Sequence, residues 1–236
     1  MRYPNFDEEK KLWQKGYKRV FGLDESGRGS LAGPVLAAAV SIKLKTKNQK
    51  LKTHIKNKKI NNLTIEQFNN LGIRDSKKLT ALQREKLYRM LTNSNLIEWG
   101  IGRVSEKVID KINILEATKL AMKRAIKKLT QKLKNQKTKK HNLDFLIVDG
   151  NFKINLAVPQ KSIIKADQKV FSCATASILA KVYRDRIMGR YHKKYPQYGF
   201  DKHKGYPTKY HLKMLKKYGP CKIHRKSFKP VKNMLK

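Results

Sequence analysis

Two adjacent carboxylates, Asp24 and Glu25, close an apolar run from Val20 to Leu23 and lead directly into Gly27-Arg28-Gly29 and then Gly33. Oxygen ligands gathered at a strand end suit a hard cation such as Mg²⁺ or Mn²⁺. Glycines allow close approach of the backbone to a ligand, and an arginine among them offers a fork for a phosphate. The same residues also fit a hairpin turn with solvated acids, so the stretch needs support from the rest of the chain. Some comes from a second apolar run, Leu143 to Val148, which also ends in an acid and a glycine, Asp149-Gly150. In open α/β sheets, sites collect beyond the carboxyl ends of strands. If the two runs are parallel neighbours, Asp24 and Asp149 meet at one edge.

The elements that must position these acids can be read around them. Residues 17–24 and 34–42 form strands on either side of the glycine loop, continuously apolar as befits strands covered on both faces. Lys43 to Lys59 holds eight lysines and no acid, which predicts a solvated loop, and Leu63 to Leu71 reads as a short helix. Asp75-Ser76-Lys77-Lys78-Leu79 presents a hydroxyl, two lysines and amides, a phosphate grip. It precedes a helix to Leu91 capped by Thr80 and Gln83. Leu96 to Val104 is a strand.

Ser105 caps a long helix in which Val108, Ile112, Leu115, Met122, Ile126 and Leu129 form one core face. Its tail, Lys123 to His141, has nine Lys/Arg and no acid and is expected to be solvated. A short strand, Ser162 to Ile164, leads to Lys165-Ala166-Asp167. A helix from Ser172 to Tyr191 follows, with small residues for close packing. On it, Asp185 lies between Arg184 and Arg186 and is expected to be held by local ion pairing. Past Pro196, Tyr195, Tyr198, Tyr206 and Tyr210 alternate with cations, which suits base stacking and phosphate contact. Thr208 caps a helix to about Lys217, and the last sixteen residues are expected to be partly disordered.

Composition narrows the class. The 236 residues carry Lys+Arg 56 against Asp+Glu 17, a net charge of +39, so the natural partner is a polyanion. Only 12 of the 56 are arginine, and a lysine bias of that kind also arises from codon usage, so the excess is discounted. No apolar run approaches the roughly 18 residues of a membrane span, and the polar start, Met1 to Lys11, is no secretory signal. Cys173 and Cys221 are read as reduced thiols of a cytoplasmic protein. The six histidines show no zinc-ligand spacing.

Taken together, Gly22-Leu23-Asp24-Glu25 with Gly27-Arg28-Gly29 and Leu31-Ala32-Gly33-Pro34-Val35, Asp75 to Leu79, Val148-Asp149-Gly150, Lys165-Ala166-Asp167, Ala176 to Lys181 with Arg184-Asp185, and Tyr198-Gly199-Phe200 with His203-Lys204-Gly205-Tyr206 resemble bacterial ribonuclease HII, a type 2 ribonuclease H. The motifs run in order from about residue 17 to 228. Ser26 stands where alanine is common, and Ser30 where proline is.

The resemblance implies an α/β, RNase H-like fold: a mixed central sheet flanked by helices, with a catalytic domain over 1–195 and a basic C-terminal helical lobe and tail over 196–236. It implies a four-carboxylate site at Asp24, Glu25, Asp149 and Asp167 holding two divalent cations, Mg²⁺ or Mn²⁺. Four crowded carboxylates repel unless cations sit between them, and two such ions can activate a water and stabilise a leaving 3′ oxygen. It implies that Gly27, Arg28 and Gly29 read the ribose 2′-OH and adjacent phosphates, that Tyr206 stacks on the sugar 3′ of the ribonucleotide, and that Ser76 and Lys77 grip the DNA backbone. The expected activity is cleavage of the RNA strand of RNA–DNA hybrids, and of duplex DNA 5′ to an embedded ribonucleotide, leaving 3′-hydroxyl and 5′-phosphate ends. Primer removal and ribonucleotide excision repair are the matching roles, for a cytoplasmic monomer. The sister type-three ribonuclease H shares fold and chemistry but usually carries an extra N-terminal domain. A non-catalytic basic binding protein would explain the charge but not acids at two strand ends.

Overall fold

The computed structural model describes residues 3–43, 72–73, 75–134 and 143–235. The expected helix Leu63–Leu71 and all but the first residue of the loop Lys43–Lys59 lie outside them. The sheet has five strands: β1 (Val20–Ser26), β2 (Val35–Ile42), β3 (Ile97–Val104), β4 (Phe145–Asp149) and β5 (Gln160–Ile163). Their order is β3-β2-β1-β4-β5. The first three pair antiparallel, whereas β4 runs parallel to β1 and β5 parallel to β4. The described helices are α1 (Asp7–Gln14), α2 (Ala81–Thr92), α3 (Glu106–Lys134), α4 (Phe171–Lys194), α5 (Phe200–His203), α6 (Lys209–Tyr218) and α7 (Lys229–Lys232). None is long and apolar enough to cross a membrane.

The central strands β1, β2 and β4 are largely apolar because both their faces are covered. Along β2, Leu36, Ala38, Val40 and Ile42 face α4, while Val35, Ala37 and Ala39 face α3. This is the period-two alternation of a strand, with each face meeting a different helix. Gly102 on β3 lets α3 approach closely, since a Cβ there would collide with the Ala121 carbonyl oxygen. Thr80 and Gln83 form the expected capping box at α2, and Thr208 accepts the His211 amide at α6.

Three expectations change. Asn113 breaks α3 with φ 63, and its side chain caps the turn beyond by accepting the Leu115 and Glu116 amides. The helical phase shifts there, so Leu115 is 37% exposed, while Met122, Ile126 and Leu129 stay in the core. The lysine-rich tail is not wholly solvated either, because Ala125, Ile126, Leu129 and Leu133 keep one face buried.

Residues 221–235 pack against the rest of the chain. Residues 196–235 surround a core of Tyr198, Phe200, Leu215, Ile223 and Val231, closed by Leu31 and Ala32 from the glycine loop and Met188 from α4. The disorder expected past Pro220 is therefore corrected: Arg225 is wholly buried, and Asp110 on α3 accepts the amides of Lys226 and Ser227.

Candidate active site

Parallel pairing places the first two acids side by side. Leu23 lies opposite Val148, so the next residues, Asp24 and Asp149, stand together at the sheet edge. Leu23 and Val148 face α3, which turns both carboxylates toward α4. The third acid comes from a short turn after β5. Lys165 takes a left-handed conformation with φ 58, starting the 3₁₀ turn Ala166–Gln168 that carries Asp167. Asp149 holds that turn by accepting the Ala166 amide at 2.8 Å. One carboxylate oxygen from each of Asp24, Asp149 and Asp167 lies within 4.8 Å of the others.

Glu25 points to the other side of β1. Its Oε1 accepts from Arg28 Nη1 at 3.3 Å, and its Oε2 is buried with no partner among the described residues.

The electrostatics fit a cation. Burial, then Glu25 and Asp149, push the Asp24 carboxyl well above its ordinary range. Burial raises Glu25 as well, against the pull of Arg28. Burial and the Asp149 charge lift Asp167 to about 6. Carboxylates forced together out of water favour protons in the absence of a metal, and a divalent cation relieves the same strain. An oxygen-only donor set with an unpartnered buried oxygen at Glu25 matches that requirement.

Around the cluster, the structure adds Ser177 and Asp75, whose roles the sequence did not disclose, and places Ser76 and Lys77. Ser177 on α4 donates to Asp24 and joins Ser76 Oγ at 2.9 Å. Ser76 is thus buried, its hydroxyl directed inward. Asp75 ties the two short turns together, accepting the Lys77 amide and Gln168 Nε2. Burial opposes the Lys77 charge, but Asp75, Asp167 and Asp24 outweigh it and raise its pKa, which sets the ammonium beside the cluster.

The glycine loop lies over two buried arginines. Arg184 donates to the carbonyls of Pro34, Lys204 and Ala32 at 2.9–3.1 Å. Arg225 donates to Gly27, Arg28 and Gly33 at 2.6–3.0 Å. This arrangement requires a glycine at position 27. Its φ is 99, and a Cβ there would collide with Arg184 Nε. Gly29 differs: it is exposed, and a Cβ would meet only the Tyr206 ring, at 3.9 Å. The Tyr206 ring is therefore the loop's neighbour, with Lys181 and Arg184 on it at 5.9 and 5.7 Å.

One sequence expectation fails here. Tyr198 is not available for stacking on a base, because it is buried against Phe200 and donates to the Gly219 carbonyl. The local ion pairing expected of Asp185 is made with Lys181, one turn away, at 2.7 Å, while Arg184 turns inward and Arg186 pairs with Glu85.

A mixed five-stranded sheet with a carboxylate cluster at the β1–β4 edge defines a metal-dependent nuclease of RNase H-like fold. Among the solved structures that share this fold are two of named ribonucleases H. The ribonuclease H2 of Pyrococcus horikoshii OT3 aligns with TM-score 0.63 and 25% identity, over 92% of this chain and 96% of that one. Bst-RNase HIII in complex with Mn²⁺ aligns with TM-score 0.66 over 94% of this chain and 71% of that one; at 16% identity this is a likeness of fold alone. At the sequence level, the model of the family Ribonuclease HII matches residues 58–231. The ribonuclease HII of Chlamydia trachomatis serovar A is 46% identical over 233 residues, covering 97% of this chain and 92% of the relative. The chain belongs to the ribonuclease HII family and is an RNase H endonuclease.

Proposed function

We propose that this chain cuts duplex DNA on the 5′ side of an embedded ribonucleotide, as well as the RNA strand of RNA–DNA hybrids, leaving 3′-hydroxyl and 5′-phosphate ends. The observation that supports it best is the exposed Gly29 backbone beside the Tyr206 ring, together with a carboxylate cluster in which Asp24 and Asp167 are buried and Asp149 half-buried. Asp24, Glu25, Asp149 and Asp167 would hold two divalent cations, Mg²⁺ or Mn²⁺, which supply activation of water and charge compensation at the leaving 3′ oxygen.

The chain's own groups do the selecting. The 2′-OH is the chemical mark of RNA, both donor and acceptor. Gly29 leaves room for it, and the loop amides of Gly27, Arg28 and Gly29 read it. Arg28, half exposed beside Glu25, holds a phosphate and fixes register. Tyr206 takes the sugar on the 3′ side, where a deoxyribose fits most easily. Lys77 grips the DNA backbone, with Ser76 behind it as the buried link to Ser177. The lobe over 196–236 lies against a catalytic domain over 1–195, and the protein works as a cytoplasmic monomer in primer removal and ribonucleotide excision.

The test uses one duplex with a single ribonucleotide, a matched duplex with 2′-O-methyl at that position, and an all-DNA duplex. Only the first should be cut, at its 5′ side. Equal cleavage of all three would show that the 2′-OH is not read.

A further inference from the structure

We propose that the adjacent residues His224 and Arg225 are the positioning residues that set the two halves of the ribonucleotide reader, the glycine loop and Tyr206, against each other. This rests on the reading of those two elements given above. His224 forms an antiparallel bridge with Ala32 of the loop. The Arg225 amide donates to Leu31, and the Gly33 amide donates to Ile223, so the segment is laced to the loop along its length. In extended backbone, successive side chains leave on opposite sides. Arg225 goes to the loop and His224 to the lobe.

Arg225 works through the peptide plane. Its Nη2 and Nη1 take the carbonyls of Gly27 and Arg28 at 2.6 and 2.8 Å. In a trans peptide, C=O and N–H point in opposite directions. Drawing those two carbonyls inward turns the amides of Arg28 and Gly29 outward, toward the substrate side. The guanidinium is wholly buried and bonded to carbonyls rather than to a carboxylate. Its charge therefore adds to the outward-facing amides instead of cancelling within an ion pair.

His224 works through a directed chain of hydrogen bonds. The Cys221 amide donates to His224 Nδ1 at 2.9 Å, which fixes the proton of the neutral ring on Nε2. That Nε2–H donates to His211 Nε2 at 3.1 Å, and His211 Nδ1–H then donates to the Tyr206 carbonyl at 2.9 Å. Every step has one possible direction while both rings are neutral. Burial supports that state, holding both rings down at about 4. The Tyr206 backbone is thus anchored to the residue next to the one that anchors Gly27 and Arg28.

The test separates positioning from general packing. His224→Phe keeps an aromatic ring against Tyr198 and Phe200 but removes the hydrogen bonds of both ring nitrogens. Arg225→Lys keeps the charge but loses the fork. Each is made in the full chain, alone and combined with Tyr206→Ala. Single-turnover rates are compared on a single-ribonucleotide duplex and on a uniform RNA–DNA hybrid, with Mn²⁺ affinity followed by titration.

His224→Phe should lower the preference for the ribonucleotide duplex by about 10-fold, and should add less than about 2-fold once Tyr206 is already alanine. Arg225→Lys should also lower the preference by about 10-fold, and this loss should persist in the Tyr206→Ala background because it acts on the other half. Mn²⁺ affinity should stay unchanged throughout. If His224→Phe fails to fold, His211→Leu interrupts the same chain and takes its place.

Equal losses on both substrates with a parallel loss of Mn²⁺ affinity would overturn the proposal, as would a His224→Phe loss that is undiminished on Tyr206→Ala. If Tyr206→Ala alone shifts the preference and neither positioning variant does, the reader stands and the strut falls. If Tyr206→Ala leaves the preference intact while Arg225→Lys removes it, the reading of Tyr206 is wrong, and the histidine half of the proposal falls with it.

Discussion

The metal cluster and the floor of the glycine loop are opposite solutions to burying charge. At the sheet edge, Asp24, Asp149 and Asp167 crowd like charges together, and burial raises the pKa of Asp24 and of Asp167. Under the loop, Arg184 and Arg225 are buried as cations, but each is bonded to three backbone carbonyls. The first region is electrostatically incomplete and favours an added cation. The second is complete in itself and forms a fixed template. Affinity for metal comes from leaving a charge uncompensated, and shape comes from satisfying one with the chain's own dipoles.

Removing charge from each region should therefore have opposite consequences. Asp24→Asn should abolish cleavage, by at least about 10³-fold, while hybrid binding stays equal or tightens. It should raise the melting temperature of the metal-free protein, since it relieves a carboxyl that burial and its neighbours disfavour as an anion. Undiminished turnover at saturating metal would remove Asp24 from the catalytic set. Arg184→Met should do the reverse to stability. Three buried carbonyls lose their donor, costing about 3 kcal/mol or more in urea unfolding. A loss below about 1 kcal/mol would mean that the carbonyls find other partners.

Acid should also divide the two regions. His211 and His224 are held at about 4 when folded, against 6.5 when free. The unfolded chain binds more protons between those values, so this pair contributes stability at neutral pH that is lost as pH falls from 6.5 toward 4. Facing them are His203, stacked on His211 at 4.3 Å, the Cys221 thiol, and the rings of Tyr198 and Phe200. Asp167 has the opposite sign. Its raised value means that the folded chain takes up its proton first, and stability rises as pH falls through about 6. Melting of the metal-free protein from pH 7.5 to 4.5 should show a smaller acid loss in His224→Phe than in the wild type. Equal slopes would mean that these rings do not control the acid response.

The smallest effect concerns the loop's own wall. Ser30 is buried, with its hydroxyl unpartnered among the described residues. Ser30→Ala should be neutral or stabilising by up to about 1 kcal/mol, with cleavage unchanged. Destabilisation would reveal a bond made by that hydroxyl.

The acids at the strand ends were legible because an apolar run and the acid ending it are adjacent in sequence. Their parallel pairing was not legible, because two apolar runs can pair in either direction; the structure supplies it. Asp185 showed local pairing in the sequence but not its partner: successive residues on a helix do not face each other, and Asp185 reaches Lys181 four residues away. Tyr198 and Tyr206 look alike in an aromatic and basic stretch, and only the packing of the lobe shows which one is buried. Leu115 fits the helical period until the left-handed Asn113 resets it. Arg225 gave no local signal at all, since its importance lies in carbonyls on the far side of the sequence.

That distance also has a consequence in time. Arg225 and the Gly27 carbonyl it holds are 198 residues apart. Ribosomes add about 5–20 residues per second, so the glycine loop emerges some 10–40 s before the arginine that gives it shape. The strands carrying Asp24 and Asp149 can pair within that interval, whereas the loop that chooses the substrate must wait for the C-terminal segment. A half-made chain can thus own the strands of its cutting site while still lacking the means to select a target.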